Sequence, residues 1–141
     1  MKPTGGDVDA HLAEVSPAKR QRDAETLVEI LREVSGHEPQ LWGTIVGFGA
    51  CHYRYPTGTD GDSPIIGFAA RKSATTVYLL DGIDAHLESL EVLGPHTTGR
   101  GCLYLKDVEA VDREVLRDIL AASYRHVVDD DIDGADITVT G

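Results

Sequence analysis

Four short runs of strand character lie close together between residues 44 and 80, and their spacing constrains the fold more than any other feature. They are Thr44–Phe48, Cys51–Tyr55, Pro64–Ala70 and Thr75–Leu80, and only residues 49–50, 56–63 and 71–74 connect them. Parallel neighbours need a crossover of about a dozen residues or more, so these links permit only antiparallel pairing. Gly49-Ala50 reads as a tight turn or bulge. The stretch 56–63, with Gly58, Gly61, Asp60 and Asp62, reads as a turn-rich loop, and Arg71–Ala74 as a hairpin connection.

Helical patterns flank this block. Ser16-Pro17 has the chemistry of a helix start, with Ser16 as N-cap and Pro17 in the first turn. Ala24, Leu27, Val28, Leu31 and Val34 follow at helical spacing, and Gly36 with Pro39 stops the run. Ile83, Leu87, Leu90 and Leu93 give a second helix before Gly94-Pro95. Cys102–Leu105 gives a short strand, and residues 109–127 give a last helix. The order α-β-β-β-β-α-β-α predicts an α+β fold, an antiparallel sheet with helices packed against it. One contiguous sheet is expected to hold residues 44–48, 65–70, 75–80 and 102–105, covered by helices at 17–34 and 110–126. The chain divides into an N-terminal segment at 1–15, room for a short docked helix, then an α+β domain at 16–128 and an acidic tail at 129–141.

Charge narrows the function. Against 13 Lys and Arg stand 24 Asp and Glu, a net −11, which disfavours nucleic acid as a partner because a basic surface supplies most of that affinity. Five aspartates, Asp129, Asp130, Asp131, Asp133 and Asp136, sit in the tail with no basic residue. Their repulsion and the few apolar residues there predict a disordered tail, with docking of Ile137–Thr140 on a sheet edge as the alternative. No stretch reaches the roughly 20 apolar residues of a membrane span, and the first residues lack the apolar core of a signal peptide. The expectation is a cytoplasmic protein with Cys51 and Cys102 as reduced, buried thiols.

Trp42–Gly49, then Tyr53-Arg54-Tyr55, Gly58, Gly61-Asp62, Gly67–Lys72, Leu93-Gly94 and Thr98–Lys106 form an ordered string that resembles the YdhG-like family of domains of unknown function. The resemblance spans residues 16–127. It implies a frataxin-like α/β sandwich and, by analogy with some members, an iron chaperone. It supplies no catalytic residues to carry over. The chain departs from the family in its longer acidic tail and in Arg100, where lysine is frequent.

The residues offer three constellations. Arg71, Lys72, Arg100 and Lys106, with Tyr53 and Tyr55, could line a basic cleft for a small anion, with backbone N–H groups of Thr98–Gly101 as an anion nest. The plainer reading makes Arg71 and Lys72 solvated hairpin charges and lets Gly99 and Gly101 merely permit the turn. Glu25, Glu29 and Glu33 recur every four residues and form one stripe on the first long helix. Oxygen ligands suit hard metal ions such as iron, but Arg22 and Arg32 flank the stripe and could simply pair with it. Asp129–Gly134 matches the first half of an EF-hand loop, but position 12 would be Thr140 and no exit helix follows. Cys51 and His52 are adjacent on a strand, so they point to opposite faces and do not converge on one ion. Trp42 reads as a core anchor. No nucleophile triad or zinc motif occurs. The chain therefore reads as a binding or iron-chaperone-like module rather than an enzyme, with no cofactor evident beyond the iron that the resemblance implies. Its expected partner is a small ligand or a protein, a second copy of the chain included. The alternative is an anion-binding domain or enzyme that uses the basic and tyrosine cleft.

Overall fold

The computed structural model describes residues 1–132 and 134–141. Its elements, in chain order, are α1 (Val8–Ala13), α2 (Ala18–Ser35), β1 (Gln40–Trp42), β2 (Ile45–Phe48), β3 (Cys51–Arg54), β4 (Asp60–Ser63), β5 (Ile66–Ala70), β6 (Thr75–Tyr78), a 3-10 turn (Ile83–His86), α3 (Leu87–Glu91), β7 (Thr97–Thr98), β8 (Cys102–Leu105), a second 3-10 turn (Val108–Ala110), α4 (Arg113–Val128) and β9 (Asp136–Val139). All strand pairs are antiparallel. The fold is α+β.

The strands make two sheets. The larger has the order β1-β2-β5-β6-β8-β7 and contains all four segments assigned to it from sequence; the smaller has the order β4-β3-β9. The division comes from one long hairpin bent out of plane. The chain leaves the larger sheet after Phe48, turns at Gly49, runs out along β3, and returns through β4 and Pro64-Ile65 into β5. Gly49 has φ +71°, and a Cβ there would stand 2.6 Å from Ile65 Cδ1, so both conformation and space call for glycine at this corner. The turn-rich stretch therefore includes a strand, Asp60–Ser63, because the distal half of the hairpin pairs with itself in the register Cys51↔Ser63 to Arg54↔Asp60.

Alternation along the strands decides which face is covered. Val46, Phe48, Ile66, Phe68, Val77, Leu103 and Leu105 point to one face and form the main core with Leu27, Leu31, Leu116, Ile119 and Leu120 of α2 and α4. A smaller cluster of Cys51, Ile65, Val127 and Ile137 lies beneath the second sheet. Trp42 is buried, as an anchor should be.

Several expectations need correction. Ser16 does not cap α2: Pro17 occupies the N-cap position without a side-chain bond, and its carbonyl accepts the Arg20 N–H at 2.8 Å. The helix expected at 83–93 is broken into a 3-10 turn and the short α3. The described residues of the tail do not form the expected disordered segment. Residues 136–139 pair with β3, from Cys51↔Val139 to Arg54↔Asp136, and Ile137 is buried. Charge repulsion loses here because Asp130 Oδ1 accepts the Ile137 N–H at 2.7 Å, Asp136 lies opposite Arg54, and the free edge of β3 needs hydrogen-bond partners. Asp130 adopts φ +54°, a left-handed conformation that Asp tolerates at a turn. Its carboxylate is thereby committed to the backbone; of the half EF-hand ligands Asp129, Asp131 and Asp133, the last lies outside the described residues. Among the described residues no helix is long and apolar enough to cross a membrane.

Candidate functional site

The face of the larger sheet turned away from the helices has an unusual central row. Gly47, Gly67, Tyr78 and Cys102 stand in register across β2, β5, β6 and β8. Two glycines side by side leave a trough where side chains would otherwise project. Pro64 and Trp42 close over the first, each within 2.7 Å of where a Gly47 Cβ would be. The second lies on the cleft lining but is crowded from the β2 side. A Cβ at Gly67 would meet the Val46 carbonyl oxygen at 2.8 Å, so the backbone itself excludes a larger residue.

A cleft of about 520 Å³ lies over this row. Its floor is Ile45, Gly67, Tyr78 and Cys102, one wall comes from Tyr53, Tyr55 and the Ser63–Ile65 link, and Leu79–Gly82 with Arg100 and Gly101 form another. Ile132 and Ala135 of the tail complete it. The Tyr53 and Tyr55 rings are 5.4 Å apart and tilted by 54°. Tyr53 can lie over its cross-strand partner because that partner is Gly61; a Cβ there would stand 2.6 Å from the Tyr53 hydroxyl. Arg100 and Tyr55 are both solvent-exposed while lining the cleft, which puts them at its mouth.

The structure divides the expected basic set. Arg100 lines the cleft with Tyr53 and Tyr55; Arg71, Lys72 and Lys106 do not. The reason is a buried polar hub. The Arg20 guanidinium, 4% exposed, donates to the carbonyls of Arg71 and Lys106 at 3.0 Å each and lies 3.4 Å from Asp23 Oδ2. Asp23, fully buried, also accepts the Val108 N–H at 3.1 Å. Arg71 and Lys106 thus contribute backbone carbonyls to a staple between α2 and the sheet, at the β5–β6 hairpin end, whereas Arg100 belongs to the β7–β8 hairpin. The Arg71 side chain reaches the Tyr78 hydroxyl at 3.2 Å, and Lys72 is exposed. One N–H of the expected anion nest is engaged within the protein. The Gly99 N–H closes the β7–β8 turn on the Cys102 carbonyl at 2.9 Å, with Arg100 and Gly101 as its central residues.

The acidic stripe keeps its exposed position on α2 but finds other partners. Glu29 lies 3.7 Å from an Arg113 nitrogen and Glu33 pairs with Arg117, both from α4. Arg22 pairs instead with Asp23, Asp107 and Glu109, and Arg32 with Glu38. Glu25 remains exposed.

Cys51 and His52 do point apart. Cys51 is buried beneath the small sheet, and burial pushes its thiol pKa up. His52 faces outward, with Nδ1 2.9 Å from Asp62 Oδ1 and Nε2 3.1 Å from Asp60 Oδ2. Cys102 is only half-buried, at the cleft floor rather than in the core.

Sequence reasoning missed one group next to the cleft. Asp81 follows β6, and Gly82, at φ +82°, turns the chain so that His86 comes back onto it. His86 Nε2 and His126 Nδ1 both donate to Asp81 Oδ2 at 2.8 Å, and the Ser123 hydroxyl donates to Oδ1 at 2.7 Å. Burial works to raise the Asp81 pKa, but these hydrogen bonds outweigh it and hold the carboxyl below its ordinary value of 3.8. The only local signal in the sequence is Ser123 and His126 three apart on one helix face; the rest of the group is assembled by tertiary packing.

Compared with family models, with curated proteins and with solved structures, the chain matches none.

Proposed function

We propose that the protein is a small-ligand-binding domain whose cleft takes an apolar body with an anionic end. The observation that carries this reading is Arg100, the one cationic side chain among the described lining residues, which stands at the mouth of a mainly apolar cleft and makes no ion pair among the described residues. A guanidinium in that position suits a carboxylate or phosphate, and the cleft has the size and character of small-molecule sites. The Tyr53 and Tyr55 rings offer aromatic surface beside it. The YdhG-like resemblance is compatible with such a binding module. Iron handling through Glu25, Glu29 and Glu33 has less support, because two of these carboxylates are already paired with arginines.

The test uses anilinonaphthalene sulfonate as a fluorescent probe, displaced by octanoate or by octanol. Saturable binding at one site is expected, with octanoate the better competitor. Arg100→Ala should weaken octanoate about tenfold, the value of a charge-assisted hydrogen bond, and leave octanol unchanged. Absence of saturable binding, or an octanoate preference that survives Arg100→Ala, would overturn the reading.

A further inference from the structure

Asp81, His86 and His126 form the one group of three or more His, Cys, Asp or Glu side chains among the described residues whose ligand atoms all lie within 4.8 Å of one another. They come from three places: the segment after β6, the end of a 3-10 turn, and α4. The Asp81 side chain is 2% exposed and that of His86 3%, while that of His126 is 32% exposed. Among the described residues no lysine or arginine pairs with Asp81; its partners are two imidazoles and a hydroxyl. A carboxylate this deeply buried normally has a cation beside it. Here two imidazole nitrogens converge on one oxygen, and a metal ion could take the place of the two protons between them.

We propose that Asp81, His86 and His126 bind a divalent first-row transition-metal ion. Two imidazoles and one carboxylate suit a borderline ion such as Zn2+ better than the hard, all-oxygen ions. Tetrahedral bonds of about 2.0–2.1 Å place ligand atoms about 3.3 Å apart. The imidazole nitrogens, now 2.8 Å from Asp81 Oδ2 and within 4.8 Å of each other, would each withdraw from that oxygen by about half an ångström and settle at the same spacing from one another to meet that geometry. Ser123, bonded to the other carboxylate oxygen, holds Asp81 in orientation as outer-shell partners of metal ligands do. Three protein ligands leave a position for water or another donor. Because Asp81 also lines the cleft, the ion would stand one side chain away from it. The proposal does not depend on what occupies the cleft.

The test takes the full chain, stripped of metal with a chelator, and adds one equivalent of Zn2+ or Co2+. Zn2+ should raise the melting temperature by several degrees, and Co2+ should give visible absorption bands. His126→Gln, at the most exposed of the three ligands, should remove both responses, and His52→Gln should keep them. Long-range nitrogen–proton spectra of the wild-type histidine rings need no variant to fold. On adding Zn2+, His86 and His126 should shift among the six histidines while the other four stay in place. Absence of any metal response, responses that persist in His126→Gln, loss of response in His52→Gln, or ring shifts elsewhere than His86 and His126 would each overturn the assignment.

Discussion

The larger sheet buries Phe48, Phe68, Leu103 and Leu105 completely under α2 and α4, whereas the smaller sheet has beneath it a lesser cluster of Cys51, Ile65, Val127 and Ile137, with partly buried residues such as Leu80 and Tyr124 against it. Where the first relies on apolar area, the second relies on polar pairs across its strands. His52 bridges Asp60 and Asp62, Arg54 lies 3.5 Å from Asp60, and Asp130 holds the Ile137 N–H. Apolar burial is indifferent to modest changes of pH and salt, but exposed charge pairs depend on both. The cleft takes its floor from the larger sheet and a wall from the smaller, so one side is rigidly set and the other is easier to displace. In such an arrangement the floor governs shape and the wall governs access.

The largest expected effect falls on the side of the larger sheet. Asp23→Ala leaves the buried Arg20 guanidinium without its carboxylate, and breaking a buried pair in this way costs about 3–5 kcal/mol. Urea unfolding should show that loss as one global transition; a loss below about 1 kcal/mol would mean that the two backbone carbonyls alone satisfy Arg20. Ile137→Ala is the corresponding change in the smaller sheet. Its cost should be about 2 kcal/mol, the low end for such truncations, because most of the hydrophobics in its cluster are only partly buried. Hydrogen exchange sharpens the contrast: amides of β3, β4 and β9 should open at lower free energy than those of β5 and β6, and Ile137→Ala should widen the gap. Equal protection in both sheets would remove the distinction.

The smallest effect concerns pH. The hydrogen bond that His52 donates to Asp62 is the main cause of its raised pKa; desolvation opposes it, and Asp60 adds to it. Protonated His52 therefore favours the folded hairpin, and that contribution is complete below the ordinary value of 6.5 and is lost as the pH rises through the raised one. Amide exchange in β3 and β4, corrected for its intrinsic pH dependence, should report lower protection above that range. His52→Gln should flatten the dependence, and an unchanged profile in that variant would assign it to another group.

The antiparallel pairing and the two long helices were legible because short links forbid parallel strands and because Leu27, Leu31, Leu116 and Leu120 keep helical spacing. The bend that separates the sheets was not. Gly49-Ala50 reads equally as a turn or bulge within one sheet, and only the packing of Ile65 against Gly49 decides. Of the site, Tyr53, Tyr55 and Arg100 were legible as polar and aromatic residues beside glycine-rich turns. Arg71, Lys72 and Lys106 were misplaced because residue type says nothing of which end of a sheet a residue occupies. Arg20 and Asp23, three apart on α2, are buried, and no local pattern marks them apart from the solvated charges of that helix. Local spacing also misassigned the partners of Glu29 and Glu33, which lie on another helix. The Asp81 group depends on contacts spanning 42 and 45 residues, to Ser123 and His126, beyond the reach of any local pattern.

The proposed ligand site is the cleft between the two sheets. Amide chemical-shift mapping with octanoate, on the full chain, tests this most directly. Shifts should gather at residues 53–55, 66–67, 79–82 and 100–102, on both walls and the floor together, and should weaken in Arg100→Ala. Shifts gathered along Glu25, Glu29 and Glu33 on the outer face of α2, or no shifts at high octanoate, would contradict it.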